Sequence, residues 1–210
     1  KTEILTITAR MIQTILHLSD THGLHRQLHA LPDADVLVHS GDFTMTGTEE
    51  EAFDFIEWLA SLPHPHKIFI AGNHDDCLYQ AQLEGLPEHV HYLCNSGMAI
   101  EGLHFYGMPM FVGDDLTGVY EQHIHRIPPD TDILISHQPP LGIRDFSGNI
   151  HWGNYTLLQQ ITRIKPRIHL FGHIHDARGI EEVDSILYAN SALVNDRYEL
   201  TQEPGTLIHL

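Results

Sequence analysis

Cysteine is nearly absent: only Cys77 and Cys94 occur in 210 residues. Two such thiols make neither a disulfide framework nor a zinc-binding set, and they point to a reduced, cytoplasmic setting. Basic residues are also scarce. There are 11 Lys plus Arg against 28 Asp plus Glu, a formal net charge of −17. A protein that grips long nucleic acid by its phosphates needs a basic surface, so that partner is excluded. The same shortage argues against an anionic membrane surface. No apolar run approaches the roughly 18 residues of a membrane span, and no basic start with an apolar core marks a signal peptide. Internal repeats, low-complexity tracts and interdomain linkers are missing too. One domain over residues 11–210 is expected, with residues 1–10 set aside as an added or alternative N-terminal extension.

What is present is a globular composition, 42% hydrophobic and 19% charged, with 19 histidines. Histidine is a common metal ligand and general acid/base, so position must decide which of these matter. Short runs rich in β-branched and aromatic residues recur at Thr14–Leu18, Val36–Ser40, Lys67–Ala71, Leu103–Tyr106, Ile133–Ser136, Ile168–Phe171, Ile186–Ala189 and Thr206–His209. Several are continuously apolar, as expected of strands covered on both faces. Thr48 followed by Glu51 is a capping-box pattern. Ala52, Phe55, Ile56, Leu59 and Leu62 then repeat at helical spacing until Pro63. Further helices are predicted at Leu116–His125 and Tyr155–Ile164. Strand and helix alternate early in the chain, which indicates an α/β fold with parallel pairing, and later strands form a mixed or second sheet.

In open α/β sheets, ligands bind beyond the carboxyl ends of the strands. Here five strands run into Asp20-Thr-His22-Gly23, Gly41-Asp42, Gly72-Asn73-His74-Asp75, His137-Gln-Pro-Pro and Gly172-His173-Ile-His175. Residues two apart in extended chain face one side, so Asp20 with His22, and His173 with His175, can share an ion. The same spacing recurs in His64-Pro-His66, His89-Val-His91 and His123-Ile-His125. None of those follows an apolar strand with a glycine turn, and they are expected to be surface histidines. Carboxylate, amide and imidazole donors together suit Mn, Fe, Zn, Ni or Co.

The order D-x-H, G-D, G-N-H-D, H, G-H-x-H resembles the calcineurin-like metallophosphoesterase superfamily, from about Leu16 to the C-terminus. GDFTMTG, KIFIAGNHD, SHQPPLGIRD, FGHIHDARG and YANSALVN look like its branch of metallophosphoesterase-domain-containing proteins, shared by bacteria and animals. The resemblance implies a four-layer α/β/β/α sandwich and two divalent or mixed-valence transition metals, Mn or Fe favoured. Asp20, His22 and His175 would hold one metal and Asn73, His137 and His173 the other, with Asp42 bridging both. It also implies in-line attack on phosphorus by a hydroxide shared between the metals. His74 would protonate the leaving group, with Asp75 as a candidate to orient it.

Met45 and Thr46 stand where protein Ser/Thr phosphatases of the superfamily carry an acidic residue and a phosphate-gripping arginine, which argues against a phosphoprotein substrate. A phosphodiesterase on small phosphate esters, cyclic nucleotides included, is the expected activity. The alternatives are a phosphomonoesterase with the same site and a non-catalytic scaffold on this fold. Beyond the metals, Arg144, His151 and Asn190 are candidate substrate readers.

Overall fold

The computed structural model describes residues 11–210. The N-terminal extension expected over residues 1–10 lies outside that range. Two sheets face each other. The first has the order β13 (Thr206–His209), β1 (Thr14–Leu18), β2 (Val36–His39), β3 (His66–Phe69) and β4 (Val90–Tyr92). Its strands β1 to β4 are parallel, and β13 closes the edge antiparallel to β1. The second has the order β11 (Gly179–Val183), β12 (Ile186–Asn190), β10 (Ile168–Phe171), β7 (Ile133–Ser136), β6 (Leu103–Met108) and β5 (Ser96–Ile100). It is parallel in the middle, with antiparallel β11 and β5 at its edges. A small hairpin, β8 (Phe146–Ser147) with β9 (Ile150–His151), stands apart.

Side-chain alternation along the strands builds the layers. Ile15, Val36, Val38 and Ile68 of the first sheet pack with Ile133, Ile135, Ile168 and Leu170 of the second in one inter-sheet core. The opposite faces are buried as well. Leu16, Leu18, Leu37 and Phe69 meet helix α1 (Glu49–Ser61) through Ala52, Phe55, Trp58 and Leu59. Leu134, Phe171 and Tyr188 meet α3 (Val119–His125) and α4 (Tyr155–Ile164) through Tyr120, Ile124, Leu157 and Ile161. The result is the four-layer α/β/β/α sandwich. Helix α1 starts with the Thr48–Glu51 capping box and stops before Pro63, as its sequence indicates.

Two expectations need correction. The helix expected over Leu116–His125 is two short ones, α2 (Val112–Thr117) and α3, because Gly118 takes a left-handed φ of 73° that ends the first. The look-alike histidine pairs are not all on the surface. His64 is buried with its ring on the Pro32 carbonyl at 2.9 Å, and His66, His89, His91 and His123 are partly covered. Tertiary packing covers them: His64 and His89 lie in the loops that lead into β3 and β4, and His123 lies on α3.

Candidate metal centre

The carboxyl ends of β1, β2, β3, β7 and β10 point to one edge of the sandwich, and the loops that leave them converge there. Asp20, His22 and His175 form one buried group, and Asp42, His137 and His173 a second. His22, Asp42 and His74 link the two; within each set the potential ligand atoms lie within 4.8 Å of one another. His22 Nε2 is 3.9 Å from Asp20 Oδ1 and 3.7 Å from Asp42 Oδ2. His137 Nε2 is 3.3 Å from Asp42 Oδ2, and His175 Nε2 is 3.3 Å from Asp20 Oδ1. Asp42 thus stands between the groups.

The backbone is shaped for this convergence. Asp20, His22, Asp42 and His173 all have left-handed φ, between 41° and 68°. Such strain persists only where surrounding contacts over-determine it, and it collects at functional sites. Two glycines permit the close approach. A Cβ on Gly41 would lie 2.6 Å from Gly72 N and 2.7 Å from His137 Nδ1. A Cβ on Gly172 would collide with Ser19 and with the Asp20 carboxylate.

Backbone carbonyls and amides aim the side chains. His137 Nδ1–H donates to the Ser40 carbonyl at 2.9 Å, and His175 Nδ1–H to the Asn195 carbonyl at 3.1 Å. Each ring therefore turns Nε2 into the site. Asp20 accepts from His173 N at 3.0 Å. His74 Nδ1–H donates to the Met45 carbonyl at 3.0 Å, and its own N–H donates to Asp42 Oδ1 at 2.8 Å. Asp75 does not orient His74, contrary to expectation. It is fully buried and accepts from Asp42 N and Gly72 N at 2.8 Å and Thr44 N at 2.9 Å, so it pins the Asp42 loop to the Asn73 loop. Its place two residues after Asn73 carries the carboxylate back under the turn.

Charge is shared unevenly. Burial works to raise the Asp42 carboxyl, but the His137 imidazole outweighs it and holds the group down at about 2. Burial works to lower His137, and the Asp42 charge raises it to about 10. Asp20 is likewise lowered against burial, chiefly by His175. Burial and the nearby Asp42 charge push Asp75 up to about 7, against its backbone donors. The carboxylates of the site are thus anionic and ready for cations.

Several buried polar atoms have no hydrogen-bond partner: both ring nitrogens of His22, His137 Nε2 and Asn73 Oδ1. Orphaned buried donors and acceptors are costly, and those of His22 and His137 face the space around Asp42, which the loop carrying Asn73 also borders. Carboxylate, imidazole and amide atoms in that space fit one or two transition-metal ions.

The three candidate substrate readers fall outside the ligand groups. Arg144 donates to the Ile180 carbonyl at 2.8 Å and pairs with Glu181 on β11. His151, on the exposed hairpin, has Nδ1 2.7 Å from the buried Asp145 carboxylate. Asn190 is fully buried. Its amide donates to the Ile174 carbonyl at 2.8 Å, between His173 and His175, and its oxygen accepts from Ala192 N.

Sequence patterns missed the layer beneath the ligands. His17 bridges Ser40 Oγ at 2.9 Å and Ser191 Oγ at 2.7 Å. His39 meets Thr21 Oγ1 at 3.1 Å and accepts from Gly41 N. Both sit inside apolar strand runs, where a polar residue has no spacing to mark it. Tyr198, in a turn near the C-terminus, lies edge-on to His22 with ring centroids 4.8 Å apart, and nothing in its local sequence sets it apart.

A fold with metal-ligand groups at the strand ends defines a class: metal-dependent phosphoesterases. The calcineurin-like phosphoesterase family model matches residues 13–177, and the chain belongs to that family. Among its relatives, a UPF0046 protein of Caenorhabditis elegans is 35% identical over 89% of this chain and 77% of its own length. The human metallophosphoesterase domain-containing protein 1 is 33% identical over 89% of this chain and 68% of its own. One solved crystal structure shares the fold with a TM-score of 0.62 at 14% identity, covering 86% of this chain and 90% of that one.

Proposed function

We propose that this chain is a phosphodiesterase acting on small phosphate esters, cyclic nucleotides among them, at a two-metal site. The observation that carries the reading is the pair of largely buried ligand groups meeting at Asp42, with His22 and His137 nitrogens there that have no hydrogen-bond partner. Asp20, His22 and His175 would hold one ion, and Asn73, His137 and His173 the other. Asp42 would hold both, since its two carboxylate oxygens can each serve one. The oxygen and nitrogen donors suit Mn, Fe, Zn, Ni or Co, and the family resemblance favours Mn or Fe among them. Two such ions supply Lewis-acid charge for the phosphate oxygens and a water acidified toward a pKa of about 7.

The chain's own residues supply the rest. The Met45 carbonyl fixes His74 by Nδ1, so Nε2 is the atom free to hold a proton for the departing ester oxygen. Asp75 sets the spacing between the Asp42 and Asn73 loops. The acidic, Lys/Arg-poor composition favours a small ester over a long polyanion.

The test compares bis(p-nitrophenyl) phosphate with p-nitrophenyl phosphate under added Mn²⁺. Preference for the diester is expected; a strong preference for the monoester overturns the diesterase reading. Asp42→Asn should lose more than about a hundredfold in rate while staying folded by circular dichroism, since even residues that only orient ligands cost 10–100-fold.

A further inference from the structure

Tyr198 lies on the site without being one of its ligands. Its ring is edge-on to His22 at 4.8 Å and to His175 at 5.5 Å, and tilted against His74 at 6.3 Å. These three histidines come from the loops after β1, β10 and β3, so one side chain touches three walls of the centre. Yet the residue is 40% exposed, which leaves part of it open to whatever enters.

The turn that carries Tyr198 is held from both ends. Asn195 N donates to the Glu199 carbonyl at 3.0 Å, and Tyr198 N donates to the Asn195 carbonyl at 3.0 Å. The Asn195 side chain accepts from Arg197 N and Glu199 N and donates to the Glu199 carboxylate. The same Asn195 carbonyl receives His175 Nδ1–H. The turn is thereby locked to a candidate ligand. Tyr198 itself sits at φ 61°, where glycine would be easier. The hydrogen bonds of the turn hold the residue there and so fix the place of its ring.

We infer that Tyr198 is a specificity residue: its ring forms the wall against which the organic group of the phosphate ester packs, beside His74. The inference rests on the phosphoesterase reading above. An aromatic ring offers a flat apolar surface to an aryl or heterocyclic ester group. The free phosphate has no such group and gains nothing from it.

Binding to the Mn²⁺-loaded full chain separates these cases by calorimetry, with phenylphosphonate, which is not hydrolysed, against inorganic phosphate. Tyr198→Ala should weaken phenylphosphonate about five- to tenfold, the scale of one aromatic contact. Inorganic phosphate affinity and bound Mn²⁺ should stay at the parent level. Tyr198→Phe keeps the ring and should restore the phenylphosphonate preference. Equal weakening of both anions, loss of Mn²⁺, or unchanged phenylphosphonate binding overturns the assignment. Asp42→Asn separates the two levels of inference. If it abolishes Mn²⁺ binding while Tyr198→Ala changes nothing, only the specificity assignment falls. If Mn²⁺ binding ignores Asp42→Asn, the metal-site reading falls with it.

Discussion

Asp75 shows how a residue can govern a metal site without touching a metal. Its two oxygens accept three backbone N–H groups from the loops that carry Asp42 and Asn73. Replacing one oxygen by an amide NH₂ puts a donor against a donor. Asp75→Asn should therefore lower Mn²⁺ affinity by about tenfold or more, as changes to ligand-supporting groups do. Titration of the metal-free chain with Mn²⁺ measures this, and an unchanged affinity would show that the loops hold their spacing without Asp75. The D-x-H, G-D and G-H-x-H groups were legible one residue at a time because strand periodicity and glycine turns mark them. The role of Asp75 was not, because a carboxylate beside a histidine in sequence gives no sign of which backbone it will face.

Helix α1 connects to the site through its first turn. Glu51 closes the capping box with Thr48, and its carboxylate also accepts from Met45 N at 3.3 Å and Thr46 N at 2.9 Å. The Met45 carbonyl in turn holds His74. Phe43, next to Asp42, stacks on Phe55 of the same helix at 4.2 Å. Thr48→Ala should cost about 1 kcal/mol, the usual effect of losing an N-cap. Urea unfolding measures that loss, and a change well under half of it would mean that Glu51 alone secures the helix start. The helix was readable because a capping box and a periodic apolar face are local signals. The break at Gly118 was not read in advance, because apolar spacing continues across it while one left-handed residue turns the chain. The sequence pattern does not mark the two-residue strands β8 and β9, nor β4, β5 and β11. The last three are sheet edges, and none is the continuously buried run that marks the central strands.

At the scale of the whole molecule, buried histidines make stability depend on pH. Burial holds both His39 and His169 down at about 3, while an unfolded histidine titrates near about 6.5. Below that value the unfolded chain takes up protons that the folded chain refuses, so stability is full above about 6.5 and falls as pH drops toward 3. His137 works in the opposite sense. Its raised value of about 10 in the metal-free chain adds stability that is complete below about 6.5 and is lost as pH rises toward 10. From pH 6.5 to 4.5 His39 and His169 both lower stability, while Asp75, pushed up to about 7, takes up its proton in the folded chain and offsets part of the loss. The denaturation midpoint of EDTA-treated protein should fall across that interval, and His169→Gln should flatten the fall. A midpoint that stays level would mean that these rings are protonated in the folded state. Among the described residues no helix is long and apolar enough to cross a membrane.

The sequence by itself determined the class of fold and the residues offered as ligands. Strand runs, helix caps and glycine-flanked polar ends are local features, set by backbone sterics and by side-chain period. The family resemblance already put Asp42 between two ligand groups; only the tertiary structure gave the distances there, and decided that Met45 rather than Asp75 holds His74 and that Tyr198 closes one wall. Those relations join residues from 20 to 176 positions apart along the chain. They exist because parallel strands carry their loops to one edge of the sandwich, and no local pattern encodes which loop will face which.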